Sequence, residues 1–174
     1  MTGVQTCALP ISYQTIYLPV RNEQKLKEQL RGEGIPEVPQ CLKLLSMEAP
    51  DWNFSSLSDV DHVVHGAGVL FGNSLKDYSR TNTEGTLKLM RTLRGPSKFV
   101  ILSSQAASGP CSHQQELKRE EDPENPVTWY GASKLDMEKR LEAEFCDTPF
   151  VCLRPPMILG PRDTATLQIG RAHV

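Results

Sequence analysis

Tyr130 and Lys134 stand four residues apart in the run Val-Thr-Trp-Tyr-Gly-Ala-Ser-Lys-Leu-Asp-Met-Glu at positions 127–138, and on a helix that spacing stacks both side chains on one face. A phenol held beside an ammonium can act as an acid or a base. A free tyrosine has a pKa of roughly 10, and a nearby positive charge favours the phenolate and lowers that value toward working pH. The chemistry this suits is proton transfer at a hydroxyl or a carbonyl. Ordinary solvated helices carry the same spacing, so the pair takes its meaning from what lies upstream.

A helix over residues 128–144 must carry the pair, and the chain before it alternates short apolar runs with helical patterns. Residues 14–20 read as a strand limited by Pro19, followed by Arg21 and a helix over 23–30 that Gly32 and Gly34 close. Further strands are expected at 42–45, 60–64, 99–102 and 150–153, and a helix over 73–93 with Asn82 and Gly85 inside it. Residues 105–126 read as a long polar loop, and the acidic stretch 116–124 within it as surface. Apolar strands without polar alternation, separated by helices, are the pattern of a parallel sheet covered on both faces. Ligands bind such sheets at the carboxyl ends of the strands. Those ends are Arg21, Ser46 with Met47 and Glu48, the turn His65-Gly66-Ala67-Gly68, Ser104, and Arg154-Pro155-Pro156-Met157, so the unusual residues gather on one rim.

The chain has 174 residues and a formal charge of −2, with a pI near 6.1 and mean hydropathy of −0.37. That length suits one domain with a substantial core. Interspersed charges give no electrostatic case for nucleic acid or an anionic membrane surface, and no apolar run approaches the ~20 residues of a membrane span. The five cysteines, Cys7, Cys41, Cys111, Cys146 and Cys152, are odd in number and lack metal-ligand spacing. A soluble protein of the reducing cytoplasm is the simplest expectation. His62 and His65 have no third ligand at suitable spacing, so no metal is expected.

The two ends read differently from the rest. Thr6 to Ile11 and Ile169 to Val174 can be encoded on opposite strands of one short DNA string that resembles a sequencing-library adapter. We therefore expect residues 1–11 and 169–174 to be non-native and residues 12–168 to be the natural segment. Cys7, Arg171 and His173 then carry no functional weight.

In order along the chain, Val63-Val64-His65-Gly66-Ala67-Gly68, Asn82-Thr83-Glu84-Gly85-Thr86, Val100-Ile101-Leu102-Ser103-Ser104 with Gly109, Trp129-Tyr130-Gly131-Ala132-Ser133-Lys134, and Leu153-Arg154-Pro155-Pro156 with Gly160-Pro161-Arg162 resemble the extended short-chain dehydrogenase/reductase superfamily, specifically its NAD-dependent epimerase/dehydratase family. The resemblance implies a Rossmann-like doubly wound α/β fold and hydride chemistry on a nicotinamide cofactor. It makes Tyr130 the catalytic acid/base, and Lys134 the group that lowers its pKa and bonds the nicotinamide ribose. Ser104, five residues before Gly109, would bond the reacting substrate oxygen in preference to Ser103. Asn82 would bond the backbone near the site, Ala67 would lie against the cofactor ribose, and Pro156 with Met157 against the nicotinamide ring. Glu48 falls where the family often has an Asp bonding the adenine amine. Arg21 sits where the family distinguishes its cofactors, and an arginine there can pair with a 2′-phosphate, which favours NADP over NAD.

The family's first strand and glycine-rich turn should precede Gln14, and nothing in residues 1–11 supplies them, so the expected fold is a truncated one. Dehydratases of the family generally follow the Ser/Thr position with Asp-Glu; Gln105-Ala106 stand here, which leaves reductase and epimerase. The implied substrate is a small carbonyl or alcohol, or a nucleotide sugar. The resemblance also implies a homodimer paired through helices such as 73–93 and 128–144. A non-catalytic dinucleotide-binding regulator or scaffold of the same fold is the alternative.

Overall fold

The computed structural model describes residues 15–47, 52–55, 57, 60–93, 95, 98–111 and 117–158. The terminal runs 1–11 and 169–174, Glu48 and the Gly160-Pro161-Arg162 motif lie outside the described residues.

β1 (Ile16–Val20) pairs in parallel with β2 (Leu42–Ser46), in register from Ile16 with Leu42 to Val20 with Ser46. β3 (His62–His65), β4 (Lys98–Leu102) and β5 (Phe150–Leu153) form a second parallel sheet in the order β3-β4-β5. The α/β fold with parallel strands is as expected, but the sheet is in two pieces. Among the described residues β1 and β3 are not paired. In a doubly wound sheet of order 3-2-1-4-5-6 the break falls where the first strand would lie.

The core forms two clusters, and Leu45 of β2 with Met47 packs against the larger one. α1 (Glu23–Gly32) starts where the Asn22 side chain accepts a hydrogen bond from the Lys25 amide at 2.9 Å, satisfying an otherwise orphaned donor. Its Leu26 and Leu30 pack with Val20 into a small cluster ringed by Leu18, Ile35, Val38 and Leu44. The larger core joins Trp52, Phe54, Leu87, Leu89, Met90, Leu93, Phe99, Ile101, Met137 and Leu141.

The helix expected over 73–93 is continuous but not uniform. α2 (Leu75–Ser79) runs into a π-helical turn (Arg80–Gly85) and then α3 (Thr86–Thr92). Just past the π turn the buried Thr86 hydroxyl donates to the Asn82 carbonyl at 2.7 Å; such back-bonding accompanies bends in a helix, and π turns cluster at functional sites. α4 (Trp129–Glu144) is capped by Thr128, whose hydroxyl accepts from the Gly131 amide at 3.0 Å. Its buried residues Ser133, Lys134, Met137, Glu138 and Leu141 recur every three or four positions, the spacing of one helix face. Ion pairs Arg91–Glu144 and Arg140–Glu84 tie α4 to α3 and to the π turn.

The helices cover one face of the β3-β4-β5 sheet. Val63, Phe99, Ile101, Phe150 and Cys152 meet the larger core on that side. The alternate residues Val64, Val100, Leu102, Val151 and Leu153 share the other face, where Val64 is 74% exposed. The residues 105–126, expected as loop alone, open with a 3₁₀ turn at Gln105–Ala107. The described cysteines Cys41, Cys111, Cys146 and Cys152 are free thiols. Among the described residues no helix is long and apolar enough to cross a membrane.

Candidate active site

The carboxyl end of β4 and the first turns of α4 meet at one point. Lys134, 4% exposed, donates from Nζ to the Leu102 carbonyl at 2.9 Å, so α4 is pinned to the end of the strand. Two residues on, Ser104 begins the 3₁₀ turn, its Oγ accepting from the Ala106 amide at 3.2 Å. The first turn of α4 then presses against that 3₁₀ turn: a Cβ on Gly131 would lie 2.2 Å from the Ala106 carbonyl oxygen. Only glycine permits this approach, and it brings Ser104 close enough to the Tyr130 phenol to act on its ionisation. Ser103 points the other way, buried with its hydroxyl unpartnered. Of the two serines, Ser104 is the one that acts on the Tyr130 phenol.

The electrostatics differ from the sequence expectation in one respect. Burial pushes the Tyr130 phenol up from its ordinary value, and the hydrogen bond from Ser104 opposes that shift. The ammonium of Lys134 is directed at the Leu102 carbonyl. Lys134 itself is lowered to about 8 by burial, with Cys152 and Glu138 pulling it back up. An amine in that range gains and loses its proton near neutral pH.

Beside the ammonium lies a cradle. Asn82, fully buried, accepts from the Val69 amide through Oδ1 at 2.8 Å and donates to the Val69 carbonyl through Nδ2 at 3.2 Å. This double bond fixes the turn after β3 that carries Ala67 and Gly68. A Cβ on Gly68 would come within 3.0 Å of Asn82 Oδ1 and 3.4 Å of Lys134 Nζ, so the bare backbone keeps space open between the turn and the lysine. Ala67 is exposed at this rim. The chain after β5 reaches the same place, since the Gln105 amide donates to the Pro155 carbonyl at 3.0 Å. Pro156 and Met157 follow it, with Met157 66% exposed. These residues suit the ribose and ring end of a nicotinamide cofactor. Among the described residues no glycine-rich turn opens a helix. Arg21 stands exposed at the end of β1, on the other sheet piece, and Glu48 is outside the described residues.

Two groups of residues stand at the site without a role in the sequence reading, although it placed His65 and Arg154 on the rim. Arg154 donates from Nε to both Glu138 oxygens at 3.0 and 3.1 Å and from Nη2 to Glu138 at 2.5 Å and Glu124 at 2.6 Å. This fork ties the end of β5, the polar loop and α4 together, and Glu138 lies one turn beyond Lys134 on the same face. That i, i+4 spacing was a usable signal. The second group is His65, Thr86 and Ser133, buried beneath Asn82. No spacing rule links them, because they come from three elements. Among the described residues no group of three or more His, Cys, Asp or Glu could hold a metal.

A parallel α/β sheet with Ser, Tyr and Lys converging at one rim defines a domain of the nucleotide-cofactor-dependent class. The chain belongs to the NAD dependent epimerase/dehydratase family, whose model matches residues 21–172. Over 105 residues it is 31% identical to a ceramide reductase of Caulobacter vibrioides, covering 60% of this chain and 28% of that protein. Over 90 residues it is 36% identical to a UDP-glucose 4-epimerase of Streptococcus mutans, covering 49% and 27%. Among solved structures it is similar to UDP-glucuronic acid 4-epimerase from Bacillus cereus in complex with UDP-glucuronic acid and NAD, at a TM-score of 0.69, 20% identity, and coverage of 85% of this chain and 50% of that one. It is also similar to RMD from Pseudomonas aeruginosa complexed with NADPH, at a TM-score of 0.60 and 23% identity, covering 90% and 60%. Those likenesses carry the fold. The matches span less than a third of these curated relatives and about half of the solved structures.

Proposed function

We propose that this chain is a fragment carrying the catalytic half of an NAD(P)-dependent oxidoreductase or epimerase, whose whole protein moves hydride between the nicotinamide and a carbonyl or alcohol substrate. The observation that carries the reading is the convergence of Ser104, Tyr130 and Lys134 where β4 ends against α4. Tyr130 gives or takes the proton of the substrate oxygen while Ser104 holds that oxygen by a hydrogen bond. Lys134 supplies positive charge beside the phenol once its bond to the Leu102 carbonyl is exchanged for one nearer the reacting groups. Ala67, Asn82, Lys134, Pro156 and Met157 would hold the cofactor, which supplies or accepts the hydride when bound. Arg21 favours a 2′-phosphate, and so NADP over NAD. A nucleotide sugar is a substrate class consistent with the relatives named above. A cytoplasmic location, pairing of two copies through α2, α3 and α4, and non-native ends at 1–11 and 169–174 belong to the same proposal.

The competing reading is a non-catalytic dinucleotide-binding regulator. It is favoured by the raised phenol of Tyr130 and by the engagement of Lys134 with a backbone carbonyl. One experiment separates the two. The full-length protein is titrated with NADPH and NADH by cofactor fluorescence, and turnover is followed with carbonyl substrates and with UDP-sugars. On the catalytic reading Tyr130→Phe lowers kcat by about 10²–10⁴ with cofactor still bound, and Lys134→Met weakens binding. Cofactor binding with no turnover beyond that of Tyr130→Phe would leave the regulator. Tighter binding of NADH than NADPH would remove the role given to Arg21.

A further inference from the structure

Beneath the site runs a polar seam whose protons can be counted. His65 at the end of β3, Thr86 at the start of α3, Asn82 in the π turn and Ser133 on α4 are all buried, the last three completely. The single Thr86 hydroxyl proton goes to the Asn82 carbonyl at 2.7 Å. Its contact with His65 Nε2 at 2.9 Å must therefore be one in which the ring N–H donates and the hydroxyl oxygen accepts. His65 is thus the neutral Nε2–H tautomer. Burial agrees, holding its pKa at about 4, with the charge on Lys134 acting in the same direction. On the other side of Asn82, Nδ2 donates to Ser133 Oγ at 3.1 Å as well as to the Val69 carbonyl, and Ser133 Oγ donates to the Tyr130 carbonyl at 2.8 Å. Thr83 adds a bond from its hydroxyl to the Ser133 carbonyl at 3.0 Å.

The seam has a direction. Hydrogen bonds run from His65 through Thr86 to the backbone of Asn82, and from the side chain of Asn82 through Ser133 to the backbone of Tyr130. The π turn lets one residue face both ways. Its backbone is held from the β3 side, while its side chain holds the 66–69 turn and α4. We propose that Thr86 and His65 are positioning residues: together they fix the π turn, and through Asn82 and Ser133 they set where the Ala67–Gly68 turn and Tyr130 stand relative to each other. Neither touches the reacting groups. A fully satisfied buried network specifies one arrangement, and removing one partner leaves the others unpaired at high cost.

The inference rests on the catalytic reading above only for its activity readout. Thr86→Val keeps the shape and removes the hydroxyl, leaving the His65 N–H and the Asn82 carbonyl without their partner; Thr86→Ser keeps the hydroxyl. In the full-length protein, a shift of the site of order 1 Å is expected to lower kcat about ten- to a hundredfold in Thr86→Val and by less than about threefold in Thr86→Ser. The second readout needs no activity. Exchange of the Val69 amide, which Asn82 holds, should be slow in wild type and Thr86→Ser and fast in Thr86→Val, and nitrogen shifts of His65 should report the Nε2–H form. Equal exchange in all three proteins, or a loss in Thr86→Ser as deep as in Thr86→Val, overturns the proposal. If wild type shows no turnover, the catalytic reading fails and the exchange result alone decides this one. Should Thr86→Val not fold, Ser133→Ala cuts the other end of the seam and carries the same expectation for Val69 exchange.

Discussion

The two faces of the β3-β4-β5 sheet are built from the same residue types and meet opposite surroundings. On one face Phe99 and Ile101 are sealed under α3 and α4 with Leu87, Met137 and Leu141. On the other, Val64, Val151 and Leu153 are 74%, 42% and 45% exposed. Parallel sheets ordinarily have both faces covered, and contiguous exposed apolar surface is uncommon on a monomer. The site residues all hang from the covered face or from the rim above it: Lys134 and Ser133 belong to α4, and Asn82 to the turn between α2 and α3. Order at the site is therefore supplied mainly by the covered face, and the exposed Val64, Val151 and Leu153 can be altered without touching it.

The largest expected contrast is a core truncation. Phe99→Ala removes a ring that is 1% exposed and should cost about 3–5 kcal/mol, whereas Val151→Ala on the open face should cost less than about 1 kcal/mol. Urea unfolding of both variants checks this. Similar losses would mean that the open face is covered in solution.

Next in size is acid. His65 lies on the covered face with its pKa lowered from 6.5 to about 4. Between those values the unfolded chain takes up a proton that the native protein refuses, so stability falls as pH drops through the window and is fully regained above 6.5. The linked loss approaches roughly 3 kcal/mol. Stability measured by urea at pH 7 and pH 4.5 should show a shallower fall in His65→Gln than in wild type. Equal falls would assign the acid sensitivity to the carboxylates.

The covered face was legible in the sequence because burial on a parallel sheet writes itself as unbroken apolar runs, as in residues 99–102. Tyr130 with Lys134 was legible because a helix turns four residues into contact. What escaped depends on partners far apart in the chain. Thr86 in the turn's C-terminal flank meets both His65 and the Asn82 carbonyl, and no propensity for helix predicts that pairing. Lys134 was expected to act on Tyr130, but its bond to the Leu102 carbonyl comes from how α4 docks on β4, which Gly131 permits by its lack of a side chain. The exposed face of Val64 was not legible, since Val63 and Val64 look alike on paper.

Those two valines give the smallest and cleanest contrast. They are adjacent in β3, so their side chains leave opposite faces of the sheet, and Val63 packs against the core while Val64 is mostly exposed. Val→Thr keeps shape and strand preference nearly constant and adds one hydroxyl. At position 64 water satisfies that hydroxyl, and the change should stay within about 0.5 kcal/mol. At position 63 the hydroxyl enters an apolar layer beneath α3, where an unpaired polar group costs about 1–3 kcal/mol. Because the two variants share composition, backbone and unfolded state to within one residue, their difference in stability measures the difference between the faces directly. Equal costs at 63 and 64 would mean that both faces are buried in solution, and the asymmetry that places the site on one side would have to be given up.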